Sequence, residues 1–187
     1  MDNAHQVIDL DLWMDLSLIQ RQNHLKNQFQ QILERVSDFF PSEDLVKIHG
    51  RSKGKKISKG NELVGSPYLV LDLFRDFDPL LGLNFRILCW MGRGCFLMIL
   101  VGKEVKLRTE NLLSQGFAFG LAQEKWDFEK LILENSTSRS MDVIQASQQE
   151  FSLWIKEVSL KNSIDLNSTL LTTEVKKILD YLDQRKK

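Results

Sequence analysis

Between Lys47 and Lys59 the chain places six cations, Lys47, Arg51, Lys53, Lys55, Lys56 and Lys59, with no acid among them. Ammonium and guanidinium groups at this density contact phosphates well, and the interspersed glycines let backbone N–H groups approach an anion closely. The whole sequence is neutral, with 25 basic and 25 acidic side chains, so this stretch is a local excess against an acidic remainder. Neutrality also removes any global field drawing the molecule to nucleic acid or an anionic membrane. His49 lies inside the stretch, where it can act as an acid or a base toward a bound anion. The anion-binding candidates are thus Lys47, His49, Arg51, Lys53, Lys55, Lys56 and Lys59. GRSKGKKISKG lacks the G-x-x-x-x-G-K-[ST] spacing that cradles nucleotide phosphates, and no Phe, Tyr or Trp is interleaved to stack bases. A phosphate-bearing or acidic ligand therefore fits better than nucleic acid, with a solvated loop or a protein contact as the alternatives.

Asp72, Asp76 and Asp78 form a second group, with Arg75 between them. On a helix Asp72 and Asp76 share one face and offer hard oxygen ligands to a divalent cation, or pair with Arg75 in solvent. Asp9, Asp11 and Asp15 lack the glycine and the twelfth-position Glu of a calcium loop. No metal site is expected from either group, and no cofactor is named by the residues. One of Asp72, Asp76 or Asp78 can instead join His49 as an acid–base pair on a small anionic substrate. His5 and His24 stand apart from both groups. No G-x-S-x-G elbow, H-E-x-x-H pair or G-x-G-x-x-G turn occurs, although groups assembled only by folding escape such a search. Cys89 and Cys95 read as small buried thiols in a reducing compartment, with a disulfide or metal pair as the alternative. Two thiols alone fall short of a zinc site.

The elements that position these groups follow from periodicity. From Leu12 to Phe40, apolar residues Leu25, Phe29, Ile32, Leu33, Val36 and Phe40 recur at steps of three and four, the pattern of a long amphipathic helix that Pro41 ends. Residues 47–60 read as a mobile basic loop. Ser66-Pro67 reads as a capped helix start, with Leu69, Val70, Leu73, Phe74 and Phe77 on one face; strand alternation would set Asp72 beside Val70. Leu83 to Gly102 has the length of a membrane span, about 20 residues. Arg86 and Arg93 oppose insertion by roughly 2.5 to 3.5 kcal/mol each. A hairpin turning at Gly92-Arg93 fits better, with Phe85, Ile87 and Cys89 opposite Leu100, Met98 and Phe96 and the two cysteines not facing each other. Residues 103–125 are ambiguous. Trp126 to Leu133 suits a strand, Ser140 caps a helix running through Ile144, Phe151, Trp154, Ile155 and Val158, and a last helix spans about Thr173 to Gln184 before the basic Arg185-Lys186-Lys187.

Trp90, Trp126 and Trp154 read as core. Trp13 sits in DLDLWMDL, a compact acidic and apolar cluster that either packs on its own domain or docks on a protein partner as a short amphipathic helix. The first twenty residues hold four Asp and no Lys or Arg, which does not fit a secretory leader, so a cytoplasmic protein is expected.

The stretch KISKGNELVGSPYLVLDLFRDF, with the hairpin and its W-M-G turn, resembles a family of uncharacterised bacterial proteins. In that family a lysine–glycine loop precedes a G-x-P-Y-x-x-L-D helix start and a tryptophan-containing hairpin. The match spans residues 56–102. The resemblance implies a soluble bacterial cytoplasmic protein and brings no activity or catalytic residue with it.

Taken together, the residues predict an α+β fold in which several helices pack a small antiparallel sheet around a central hairpin at about 83–101. One globular domain over 1–187 is expected, with a mobile N-terminal segment (1–11) and basic loop (47–60). Its core should include Phe29, Ile32, Leu33, Leu69, Leu73, Phe85, Ile87, Phe96, Met98, Leu100, Phe151 and Trp154. Three functions fit: a binding protein contacting a phosphate-bearing or acidic partner through the basic loop, an enzyme using His49 and a nearby Asp, and an assembly protein docking through its N-terminal segment.

Overall fold

The computed structural model describes residues 7–147 and 149–184. Its helices are α1 (Leu10–Trp13), α2 (Leu16–Phe39), α3 (Ser42–Ile48), α4 (Thr109–Ser114), α5 (Phe128–Ile132), α6 (Met141–Ala146) and α7 (Ile164–Gln184). Its strands are β1 (Lys56–Leu63), β2 (Ser66–Arg75), β3 (Leu83–Trp90), β4 (Gly94–Gly102), β5 (Ala118–Gly120), β6 (Thr137–Ser138) and β7 (Phe151–Val158). They form one antiparallel sheet in the order β1-β2-β3-β4-β7-β5-β6, larger than the few strands expected around the hairpin. The fold is α+β. His5 and the end Arg185 to Lys187 lie outside the described residues, as do residues 1–6 of the N-terminal segment. Among the described residues no helix is long and apolar enough to cross a membrane.

The sheet is covered on both faces, which is why its central strands read as near-continuous apolar runs. On one face Ile32, Leu33 and Val36 of α2 and Leu171, Val175 and Ile178 of α7 join Leu71, Phe85, Ile87, Leu97 and Ile99. On the other, Phe128 and Leu131 of α5 cover Val70, Leu88, Met98, Leu100, Leu153 and Ile155. Every expected core residue is buried except Phe29, which is partly buried against the first cluster.

Several expected elements are corrected by this double burial. Ser66-Pro67 opens strand β2, not a helix; Pro is tolerated at the start of a strand, before the ladder needs its missing N–H. Asp72 does share a face with Val70, where Asn84 and Arg86 receive it. The alternation is then hidden by a register shift between Asp72 and Phe74, which leaves both Leu73 and Phe74 in the α2/α7 cluster. Phe151, Trp154, Ile155 and Val158 belong to β7: α6 stops at Ala146, and a strand buried on both faces mimics helical spacing. Trp126 to Leu133 holds the short helix α5, capped by Asp127, and Trp126 is exposed, not core. The ambiguous region contains α4 and β5.

The hairpin forms with a longer turn than expected. Trp90 pairs with Gly94, so Met91, Gly92 and Arg93 make a three-residue loop in which Arg93 N–H donates to the Trp90 carbonyl at 3.0 Å. Gly92 takes φ 79°, a conformation most residues resist. The extra residue moves the register by one, pairing Phe85 with Ile99, Ile87 with Leu97 and Cys89 with Cys95. The thiols therefore do face each other, with Sγ atoms 3.5 Å apart.

Candidate functional site

The basic stretch is not loop throughout. Its start is the last turn of α3, its end is the first half of β1, and the connection between them is tied down by groups distant in sequence. Arg75 donates from Nε to the Gly54 carbonyl and from its terminal nitrogen to the Lys53 carbonyl, while its backbone N–H bonds Ser52 Oγ. Lys55 Nζ donates to the carbonyls of Ser37 (2.6 Å), which also accepts from the Phe40 N–H, and Phe40 (2.8 Å), at the end of α2. Lys47 bonds Asp44. Arg51 reaches Asp78 at 3.1 Å and Asp76 at 3.5 Å. Lys56 and Lys59 stand on β1, an edge of the sheet, where lysines discourage pairing with another chain. The seven candidates are thus dispersed, with Lys47, Arg51 and Lys55 already paired within the molecule.

Folding does bring His49 to an aspartate. His49 Nε2 lies 2.7 Å from Asp76 Oδ2, both side chains largely buried, with the imidazole edge against Phe74. This is the contact an acid–base pair needs. A cavity bordering Asp76 measures about 10 Å³, roughly the space one water requires. The other acids are also committed. Asp72 accepts from Asn84 and Arg86, and Asp78 accepts from the backbone N–H groups of Leu80 and Leu81. Those two N–H bonds, ahead of the Arg51 charge, hold the Asp78 carboxyl below its usual range. Among the described residues no group of three or more His, Cys, Asp or Glu gathers to hold a metal ion.

The largest departure from an ordinary surface lies at the other end of the chain. Val7 (91% exposed), Ile8, Leu10, Leu12, Trp13 (75%), Met14 (74%), Leu16, Leu18, Ile19 and Leu25 all face solvent. The buried face of α2 begins only at Ile32, with Phe29 half-buried and Leu25 still exposed before it, and Arg21 and Gln22 interrupt the apolar side ahead of Leu25. The first part of α2, with α1 before it, forms an arm standing off the sheet. Asp9 and Asp15 cap α1 and α2, each through Oδ1 on a backbone N–H at 2.9 and 2.8 Å.

No family model, curated protein or solved structure matches the chain.

Beside α2 lie two adjoining hollows that share Leu69. One, of about 290 Å³, is apolar: Leu25, Phe29, Leu69, Trp90, Met91 and Leu160 line it, with Arg93 on the hairpin turn. The other, of about 470 Å³, is polar, with Lys26 and Lys59 among Asn23, Asn27, Gln30, Asn61 and Tyr68 and no acid in its lining. Lys59 is the one residue of the basic stretch that lines this groove. Sequence reasoning placed Leu25 and Phe29 on the packed face of a helix and missed the groove. The one signal in the sequence is the break at Arg21 and Gln22, which lies about a turn before the groove-lining Leu25.

Proposed function

We propose that the protein is a non-enzymatic assembly module in which the acidic, apolar arm of one copy docks into the groove beside α2 of a second copy. The observation that carries this reading is the unbroken exposure of large apolar side chains from Val7 to Ile19. A surface of this kind marks an interaction site in a folded protein. The chemistries of arm and groove match. Leu12, Trp13 and Met14 suit the apolar hollow, while Asp9, Asp11 and Asp15, in a stretch with no cation from Val7 to Gln20, suit Lys26, Lys59 and Arg93.

The arm does not reach the groove of its own chain as it stands. From Leu16 to Leu25 the helix rises about 14 Å, carrying α1 away, and all four residues of α1 are exposed. Exchange between two copies is reciprocal and closes as a twofold dimer. It also gives the basic stretch an acidic partner through Lys59.

The test is the oligomeric state of the full chain by light scattering up to about 0.1 mM, where a micromolar association is nearly complete. The full chain should dimerise. Trp13→Glu and Lys26→Glu/Lys59→Glu should be monomeric and folded, melting where the parent does when diluted below its association range, since Trp13 and Lys59 are exposed and Lys26 is half-buried at the surface. Adding Asp11→Lys to the Lys26→Glu/Lys59→Glu variant should restore part of the association. A full chain that stays monomeric at the highest concentration overturns the proposal.

A further inference from the structure

A second cavity lies at the other end of the sheet, between the connection from β4 to α4, the end of α6 and the start of β7. β5 is three residues long and pairs with β7 at Ala118↔Ile155 and Phe119↔Trp154, so the first residues of β7 have no strand on that side. The space left measures about 170 Å³. Its lining includes Lys103, Lys106, Thr109 and Ser152, together with Gln149 and Trp154, and contains no Asp or Glu.

Buried polar groups elsewhere in this fold find partners. Trp90 Nε1 donates to the Leu63 carbonyl, and Asn84 and Asn167 each make two side-chain hydrogen bonds. Among the described residues three buried side-chain atoms have none: Gln115 Oε1, Gln149 Oε1 and Trp154 Nε1. Two of the three belong to residues that line this one cavity. Trp154 is 2% exposed, and the indole N–H is its sole polar side-chain group. The Gln149 amide is oriented by its nitrogen, which donates to the Ala122 carbonyl at 2.7 Å and leaves Oε1 unused. The Lys103 and Lys106 side chains form no ion pair among the described residues, unlike Lys47 and Arg51 of the basic stretch. Unpaired buried polar atoms are rare and mark a missing partner.

We propose that this cavity binds a small organic anion. The Lys103 and Lys106 ammonium groups and the Trp154 N–H meet its oxyanion, and Gln149 Oε1 accepts from a hydroxyl or amino group at its other end. An indole N–H and two ammoniums donate and cannot accept, which selects an oxygen-rich anion; the free amide oxygen only accepts, which selects a donor opposite it. At about 170 Å³ the space is smaller than the roughly 300–1,000 Å³ of pockets for drug-sized ligands, so the ligand is a short hydroxy or amino carboxylate or a small phosphate monoester rather than a nucleotide. The site is separate from the groove beside α2 and does not depend on the docking of the arm.

The probes are 2-hydroxybutanoate and glycerol phosphate, with sodium chloride at equal ionic strength as control, titrated into the full chain to about 10 mM while indole N–H resonances are followed by NMR. The chain has four tryptophans, so the signals are few, and Trp154→Phe assigns the relevant one. The Trp154 resonance should move downfield and saturate with one of the two probes while the Trp13 resonance stays fixed. A response confined to 2-hydroxybutanoate names the carboxylate class, and one confined to glycerol phosphate names the phosphate class. Lys103→Gln/Lys106→Gln, at two exposed positions, should keep the fold and weaken binding by about tenfold or more. Absence of a saturable Trp154 shift with both probes, the same shift with sodium chloride, or an unchanged affinity in the double lysine variant overturns the proposal. Deleting the arm should leave the titration unchanged, so failure here and failure of the dimer are read independently.

Discussion

Replacing Arg86 with Met should strand a carboxylate inside the sheet. Asp72 is 6% exposed and accepts from Asn84 Nδ2 at 2.9 Å and from Arg86 Nε at 3.0 Å, with a terminal nitrogen of the same guanidinium also 3.0 Å away. The same guanidinium lies 4.6 Å from the Trp126 ring centroid. Methionine keeps the apolar stem and removes the charge-assisted hydrogen bond and the positive charge, so Asp72 keeps only the neutral Asn84 donor among its side-chain partners. Removing one partner of a buried ion pair costs about 3–5 kcal/mol, most of it the uncompensated charge. With an unfolding entropy of roughly 2.1 cal/mol/K per residue over 187 residues, that loss lowers the melting temperature by about 8–13 °C. Burial pushes the Arg86 guanidinium below its ordinary value even though Asp72 raises it, so the pair is costly to house. The double variant Asp72→Val/Arg86→Met should therefore recover most of the loss, because Asn84 keeps its 2.7 Å bond to the Phe74 carbonyl. Urea unfolding followed by circular dichroism measures both. A single variant that loses less than about 1 kcal/mol at an unchanged m-value, or a double variant as unstable as the single, refutes the reasoning.

Two further outcomes follow from buried titratable groups. The hydrogen bond with Cys95, then burial, push the Cys89 thiol well above its ordinary value, so at neutral pH native protein should react with a thiolate reagent only as fast as it opens. Prompt modification of both cysteines without denaturant contradicts this. Burial works to raise the Glu174 carboxyl, but hydrogen bonds and charge from Lys156 and Lys177 outweigh it and hold the group below its ordinary range. A depressed carboxyl stabilises the fold above its unfolded value and loses that contribution as pH falls through the folded one. Glu174→Gln should be less stable than the parent at neutral pH, and the two melting curves should converge in acid below about pH 4. A gap that stays constant from neutral to acid pH excludes the linkage.

Helix α2, the central hairpin and most of the core were legible in the sequence because each depends on local periodicity and on the bulk of its side chains. The errors arose where a partner sits far along the chain. Asp72 in a row of apolar residues argued for a helix face, and its acceptance into a strand depends on Asn84 and Arg86, 12 and 14 residues on. The basic stretch looked solvated because Lys55 closes a helix end 15 to 18 residues earlier and Arg51 meets carboxylates 25 to 27 residues later. The hairpin was found but its register was off by one, since a three-residue turn and a two-residue turn both fit the glycine at position 92. Of the candidate site, the apolar content of the arm was visible around Trp13. Its exposure, the groove, and the unpartnered indole of Trp154 exist only once the chain is folded.

The placement of β7 also governs the order in which the chain can assemble. Strands β1 to β4 follow one another and pair with their neighbours, so that half has local contacts and can form early. The other edge of β4 stays open until β7 arrives from Phe151 onward, and the stretch between them takes about 2–10 s to synthesise at ordinary ribosomal rates. During that interval Cys95 to Val101, apolar on both faces, is an unpaired edge at the centre of the future sheet. The nascent chain is then most open to strand addition by a neighbour, and the late arrival of β7 is the step that ends that exposure.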